Sequence, residues 1–175
     1  YGFTEFPANY DYNSIMSYMN KRWDIYFIPG ASFTNYNKML TTIVKDQRMD
    51  VLRFLVANGA NMYGDAVNTA VVYNNYDAFV YFIEELGFNI TNPVVDEEES
   101  EFYFIDLCMN AFTNPYVYQR PEILEYLIEH YNQHFTQDFL ESLYMILLEG
   151  GSIELADYVQ LIMESDETEI PSLSH

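Results

Sequence analysis

Basic side chains almost vanish from this chain after residue 53. Six of the seven Lys and Arg lie before that point (Lys21, Arg22, Lys38, Lys45, Arg48 and Arg53), and residues 54–175 hold Arg120 alone. The same stretch carries twenty-two of the twenty-seven acids, so the first part sums to +1 and the rest to −21. Such a field repels nucleic acid and anionic lipid and attracts basic surfaces. Direct nucleic-acid binding and membrane binding are therefore not expected. Cysteine is as scarce. Cys108 stands alone in the apolar run FIDLCMNAF, so no internal disulfide is possible. It reads as a buried small hydrophobe in a reducing compartment, which makes a cytoplasmic location the expectation. No apolar run approaches the ~20 residues of a membrane span, and the first residues lack the basic-then-apolar order of a secretory signal. The chain begins at Tyr1 rather than at a Met, and residues before it are expected. P-loops, glycine-rich dinucleotide turns, nucleophile elbows and HExxH helices are all missing, which leaves no motif for an enzyme and calls for no cofactor.

What remains is a folded chain. Half the residues are apolar, and seventeen Tyr and thirteen Phe exceed what an acidic disordered tail contains. So many rings are hard to bury in 175 residues, and some Tyr are expected at the surface.

A frame repeats along the chain: an acid, two apolar residues, a variable position, an aromatic, then further apolar residues. It begins at Asp50 (DVLRFLVANGANM), Asp77 (DAFVYFIEELGFNI), Glu122 (EILEYLIEHYN) and Glu154 (ELADYVQLI). The first copy closes at Gly59, where a helix needs a left-handed residue. The second has one extra residue before Gly87, and the third has no glycine. Each copy follows a candidate partner helix, over 37–45, 65–73, 102–112 and 137–148. Short polar links at 46–49, 74–76, 114–121 and 149–152 join the pairs, the last broken by Gly150-Gly151. The spacing predicts an all-α chain of tandem helix–turn–helix units, preceded by a helix over 13–22 with Asn13 as its cap. The expected organisation is an N-terminal cap segment over 1–35, a repeat domain over 36–163 with an acidic insertion at 91–101, and a disordered acidic tail over 164–175.

The stretch DVLRFLVANGANMYG resembles the second helix and following turn of ankyrin repeats. The resemblance covers roughly residues 36–162 and is clearest at 50–62 and 77–90. The TPLHxA sequence of the family's first helix is absent, and the acids of successive frames are 27, 45 and 32 residues apart rather than a steady ~33. The resemblance implies an ankyrin-like solenoid with a capping helix that binds proteins through its turns and first helices. In its Tyr- and Asn-rich style the chain also looks like degenerate repeat proteins of large viruses, phages and intracellular bacteria, which would place it in counter-defence.

Four features are candidates for a site. Glu122, Glu125 and Glu129 fall at i, i+3 and i+7, one stripe of a helix with carboxylates about 5–6 Å apart, a spacing of the order found between phosphates on a nucleic-acid strand. With Asp138, Glu141, Glu154 and the run Glu97-Glu98-Glu99, they compose a surface able to imitate a polyphosphate rod. Tyr63 and Tyr73 fall on the turns and first helices that the resemblance assigns to a binding face, as aromatic anchors. His130 and His134, beside Glu129, have the i, i+4 spacing of metal ligands, but Asn132-Gln133 weakens the helix between them and no metal is expected. The run 96–101 lacks the glycine and alternation of a calcium loop.

The expected function is non-enzymatic protein binding: an acidic inhibitor or decoy that occupies the basic, nucleic-acid-binding surface of a partner protein. The alternative is an ankyrin-like adaptor that binds through its Tyr- and Asn-rich concave face, with its charge incidental.

Overall fold

Among the described residues, eight α-helices form where apolar residues recur at three- and four-residue spacing. In the computed structural model the described residues are 33–91, 104–165 and 170. The helices are α1 (Phe33–Lys45), α2 (Met49–Ala57), α3 (Gly64–Val72), α4 (Tyr76–Val80), α5 (Phe104–Phe112), α6 (Glu122–Tyr131), α7 (Gln137–Glu149) and α8 (Ile153–Glu164). A π-helical turn, Tyr81–Glu85, continues α4, and a 3₁₀ turn, Asn132–His134, follows α6. No strand occurs among the described residues. The expected helix over 13–22, most of the acidic insertion and most of the tail lie outside the described residues, although α8 reaches Glu164.

The chain forms two compact units. Described residues 33–88 belong to the first, and 89–91, 104–165 and 170 to the second. In each unit, two helical hairpins carry the repeated frame in their second helices.

The hairpin turns are built alike. Gln47 and Asn74 adopt left-handed backbone (φ 61° and 55°), as does Gly151 (φ 81°). After α1, the Gln47 and Arg48 amides donate to the Val44 and Ile43 carbonyls (3.2 and 3.3 Å). After α3, Asn74 and Asn75 donate to Val71 and Ala70 (3.2 and 2.7 Å). After α7, Gly151 and Ser152 donate to Leu148 and Leu147 (3.1 and 2.8 Å). This pair of bonds satisfies carbonyls that the helix end leaves open. The residue bearing the second amide, Arg48, Asn75 or Ser152, is in each case the N-cap of the next helix. The frame acid follows two residues later, in the first turn, where the helix dipole favours it.

The second helices of the first unit also end at left-handed residues. The Gly59 and Ala60 amides donate to Val56 and Leu55 (3.1 and 3.0 Å), with Gly59 at φ 105°. The second copy carries one residue more between its acid and Gly87, and the π turn absorbs it. Leu86 donates five residues back to Tyr81 and Phe88 six back to Phe82 (3.1 and 2.9 Å), so Gly87 still meets its left-handed conformation at φ 72°. Glycine-free α6 ends in the 3₁₀ turn, and the Asn132 side chain donates to the Ile128 carbonyl (2.9 Å), as Asn58 does to Phe54 (2.8 Å).

Successive hairpins are tied together within each unit. In the first, α3 packs on α1. Buried Asn75 donates from Nδ2 to the Val44 carbonyl (3.0 Å) and accepts at Oδ1 from the Ala78 amide (3.2 Å), so one side chain caps α4 and closes α1. In the second, Phe112 of α5 meets Phe139 of α7 (centroids 6.5 Å), and Phe104 stacks on Phe135 (6.3 Å). Each core is apolar: Met39, Leu40, Ile43, Leu52, Leu55, Phe79 and Phe82 in the first, and Leu107, Cys108, Phe112, Leu127, Leu143 and Val159 in the second, are essentially sealed from water.

Asn75→Ala removes the cap of α4 and one hydrogen bond to the Val44 carbonyl, which keeps the Gln47 amide as its donor. It should cost about 1–2 kcal/mol, a cap and one hydrogen bond together. Urea denaturation should show a lower midpoint at unchanged slope; an unchanged midpoint would mean that Asn75 does not join the two hairpins.

Candidate functional site

The two units differ in how they use charge. Among the described residues the first holds four cations (Lys38, Lys45, Arg48, Arg53) against six acids. Arg48 donates from Nε and Nη2 to both Asp50 carboxylate oxygens (3.1 and 2.8 Å). Burial pushes the Asp50 carboxyl up, but the hydrogen bond and charge of Arg48, with backbone amides, outweigh it and hold the group below its ordinary value. Arg53 makes a two-pronged pair with Glu85 (2.8 and 3.2 Å) while its guanidinium lies 4.6 Å from the Tyr81 ring centre. The hydrogen bond from Arg53 lowers the Glu85 carboxyl. Lys45 lies 5.2 Å from the centre of the Tyr73 ring.

The second unit has no such balance. Its described residues hold ten carboxylates and one guanidinium, that of Arg120. Pairing cannot neutralise it. Several acids also sit where local physics opposes them. Glu129, Glu149 and Glu164 occupy the last turns of α6, α7 and α8, the negative ends of the helix dipoles. No Lys or Arg stands in any of those last turns.

The outer faces of α7 and α8 share one order. Among the exposed residues of α7 are Asp138, Glu141, Met145 and Glu149, flanked by exposed Gln137, Ser142 and Ile146; among those of α8 are Glu154, Asp157, Leu161 and Glu164, flanked by exposed Ile153 and Gln160. Met145 and Leu161, about half exposed, are apolar points in an acidic stripe.

The expected stripe on α6 needs correction. Glu122 and Glu129 are exposed, but Glu125 is only partly so, and its Oε1 is shut off from solvent with no hydrogen-bond partner. Glu125 occupies the variable position of the third frame, and its charge reaches Tyr158, the aromatic of the fourth. Burial first and the Glu125 charge second push that phenol up to about 12. Arg53, at the variable position of the first frame, lies against Tyr81, the aromatic of the second.

Asp138, Glu141 and Glu154 are exposed as expected. Glu97, Glu98 and Glu99 lie outside the described residues. Tyr63 is half-buried against Phe82 (5.4 Å), and burial raises its phenol. Tyr73 is exposed beneath Lys45. Both tyrosines belong to the first unit and the described acids of the stripe to the second. His130 and His134 do not share a helix, since α6 ends at Tyr131; their rings lie 4.4 Å from Tyr126 and 6.0 Å from Phe104. No group of three His, Cys, Asp or Glu among the described residues is placed to hold a metal. Cys108 is buried, which raises its thiol out of reactive range. No helix of the described residues is long and apolar enough to cross a membrane.

Sequence reasoning passed over Tyr116 and Tyr118, the most exposed tyrosines among the described residues. The signal was available as a Tyr-x-Tyr between Pro115 and Pro121, in a link longer than its counterparts. No family model matches the chain, and neither a curated protein nor a solved structure is significantly similar to it.

Two outcomes test the charge account. Glu129→Gln with Glu149→Gln should raise the melting temperature, each change contributing about 0.3–1 kcal/mol at low ionic strength and less at physiological salt. A fall would mean that these acids have stabilising partners. In the first unit, the depressed Glu85 carboxyl makes the Arg53 pair contribute fully above the ordinary glutamate value, and that contribution is lost as pH falls through the lowered one. Carbon-detected NMR should show the Glu85 titration moving up in Arg53→Gln; a midpoint that stays put would remove Arg53 as the cause.

Proposed function

We propose that this protein is a non-enzymatic binding module whose second unit engages the basic surface of a partner protein and competes there with nucleic acid. The observation that carries this reading is the set of glutamates at the C-terminal ends of α6, α7 and α8, held against the helix dipoles in a unit whose described residues have ten carboxylates to one arginine. Solubility alone is served by acids at N-terminal turns, where they also stabilise the helix. Acids retained at the opposite ends oppose folding, and a use outside the fold explains their retention. The helix ends and outer stripes spread charge over several helices, as a substitute for a phosphate backbone requires. We read the tandem hairpins as an ankyrin-like solenoid. Its support is the repeated turn geometry and the recurrence of the acid-led frame in the second helix of each hairpin. A place in viral or phage counter-defence would suit a decoy of this kind.

The adaptor reading draws on a different observation. Val72, Tyr73 and Tyr76 are exposed about the turn between α3 and α4 of the nearly balanced first unit. A partner seated there would owe little to charge.

Capture from a lysate of the source cells, with and without duplex DNA, separates the two. A decoy retains a nucleic-acid-binding protein that DNA displaces. Its retention falls about tenfold or more from low to physiological salt. It is also lost when Asp138, Glu141, Glu129 and Glu149 are changed to their amides. Retention of a partner indifferent to DNA, salt and the amide changes would overturn the decoy reading in favour of the adaptor.

A further inference from the structure

Three of the four hairpins turn in three residues, at 46–48, 73–75 and 150–152; the turn between α5 and α6 takes nine, at 113–121. Closing a hairpin does not need the extra length, and a longer loop costs more entropy to order. The loop is nevertheless well ordered by its own bonds. Buried Asn114 accepts at Oδ1 from the Tyr116 amide (2.9 Å), and its carbonyl accepts from Val117 (3.1 Å). The Tyr116 carbonyl accepts from Gln119 and Arg120 (3.1 and 2.8 Å). Val117 is 5% exposed and plugs the loop into the unit, while Tyr116 and Tyr118 on either side of it are 58% and 54% exposed. The loop thus spends its anchoring residue on presenting two rings to water, and Glu122, exposed at the start of α6, follows directly.

We infer that this loop is a receptor for arginine side chains of a basic protein segment, with guanidinium planes stacking on Tyr116 and Tyr118 and pairing with Glu122. The chemistry selects arginine over lysine. A guanidinium is planar and weakly hydrated, stacks on an aromatic face and meets a carboxylate two-pronged, whereas an ammonium is a strongly hydrated point charge. Exposed tyrosines within an acidic unit supply both halves of that recognition, and Tyr is prominent among residues that dominate interfaces. The inference rests on reading the second unit as a surface for a basic partner and adds which residues discriminate among basic side chains.

The test uses the full chain and two fluorescent nonapeptides, all-Arg and all-Lys, in anisotropy titrations at physiological salt. The Arg peptide should bind about five- to tenfold tighter than the Lys peptide. Tyr116→Ala with Tyr118→Ala should bring it to the Lys level, and Tyr116→Phe with Tyr118→Phe should retain the preference, since the rings remain. Circular dichroism confirms that each variant is folded, and Tyr118→Ala alone gives a partial loss if the double change unfolds. An Arg preference that survives in the Ala variants, or equal binding of the two peptides to the unaltered chain, overturns the receptor but leaves a charge-driven surface standing. Failure of both peptides to bind the unaltered chain overturns the basic-partner reading as well.

Discussion

The structure depends on how its first helices end. At Gln47, Asn74 and Gly151 the backbone turns left-handed, two amides fold back onto the last carbonyls, and the next residue begins another helix. The turn satisfies polar groups that would otherwise be buried open, and it reverses the chain within three residues. A hairpin so made cannot seal its apolar faces by itself. Leu52 and Leu55 on α2, and Phe79 and Phe82 in the next hairpin, are closed from water in a unit whose two hairpins meet through α1 and α3. Short turns and shared cores therefore come together.

Much of this was legible in the sequence, and the misses have physical causes. Apolar spacing located the described helices, because a one-sided apolar stripe has no other stable use. Gly59 and Gly150-Gly151 marked two ends. Gln47 was silent, since glutamine carries no preference for left-handed backbone, whereas Asn74 is a residue type that tolerates it. The extra residue before Gly87 was visible as a length difference, but only the structure shows that the helix widens to absorb it. The Glu122, Glu125, Glu129 stripe has helical spacing, but spacing alone did not reveal that Glu125 is only partly exposed, with one carboxylate oxygen shut off from solvent. Tyr116 and Tyr118 escaped because loop tyrosines have no periodicity to mark them as inner or outer.

The two units resolve charge differently. In the first, Arg48 with Asp50 and Arg53 with Glu85 spend cations on local pairs, and Lys45 and Arg53 lie against tyrosine rings. The Arg53–Glu85 pair is exposed and contributes little to stability, and Arg48–Asp50 is only partly buried, so their chief effect is to leave the surface nearly balanced. In the second, Arg120 is the only Lys or Arg among the described residues. Its stability must come from the Phe104, Phe112, Phe135 and Phe139 cluster and the aliphatic core around it.

That division bears on why the aromatic content is so high. A unit whose described residues carry ten carboxylates against one guanidinium needs a core strong enough to hold its charges together, and large rings bury the most apolar area per residue. The phenylalanines that meet between α5 and α7 meet that need, since they are packed ring to ring. Tyr116 and Tyr118 do not, because more than half of each side chain faces water and Val117 between them does the anchoring. Rings that contribute so little to the core, on a loop longer than its hairpin requires, are better explained by contact with another molecule than by the demands of folding.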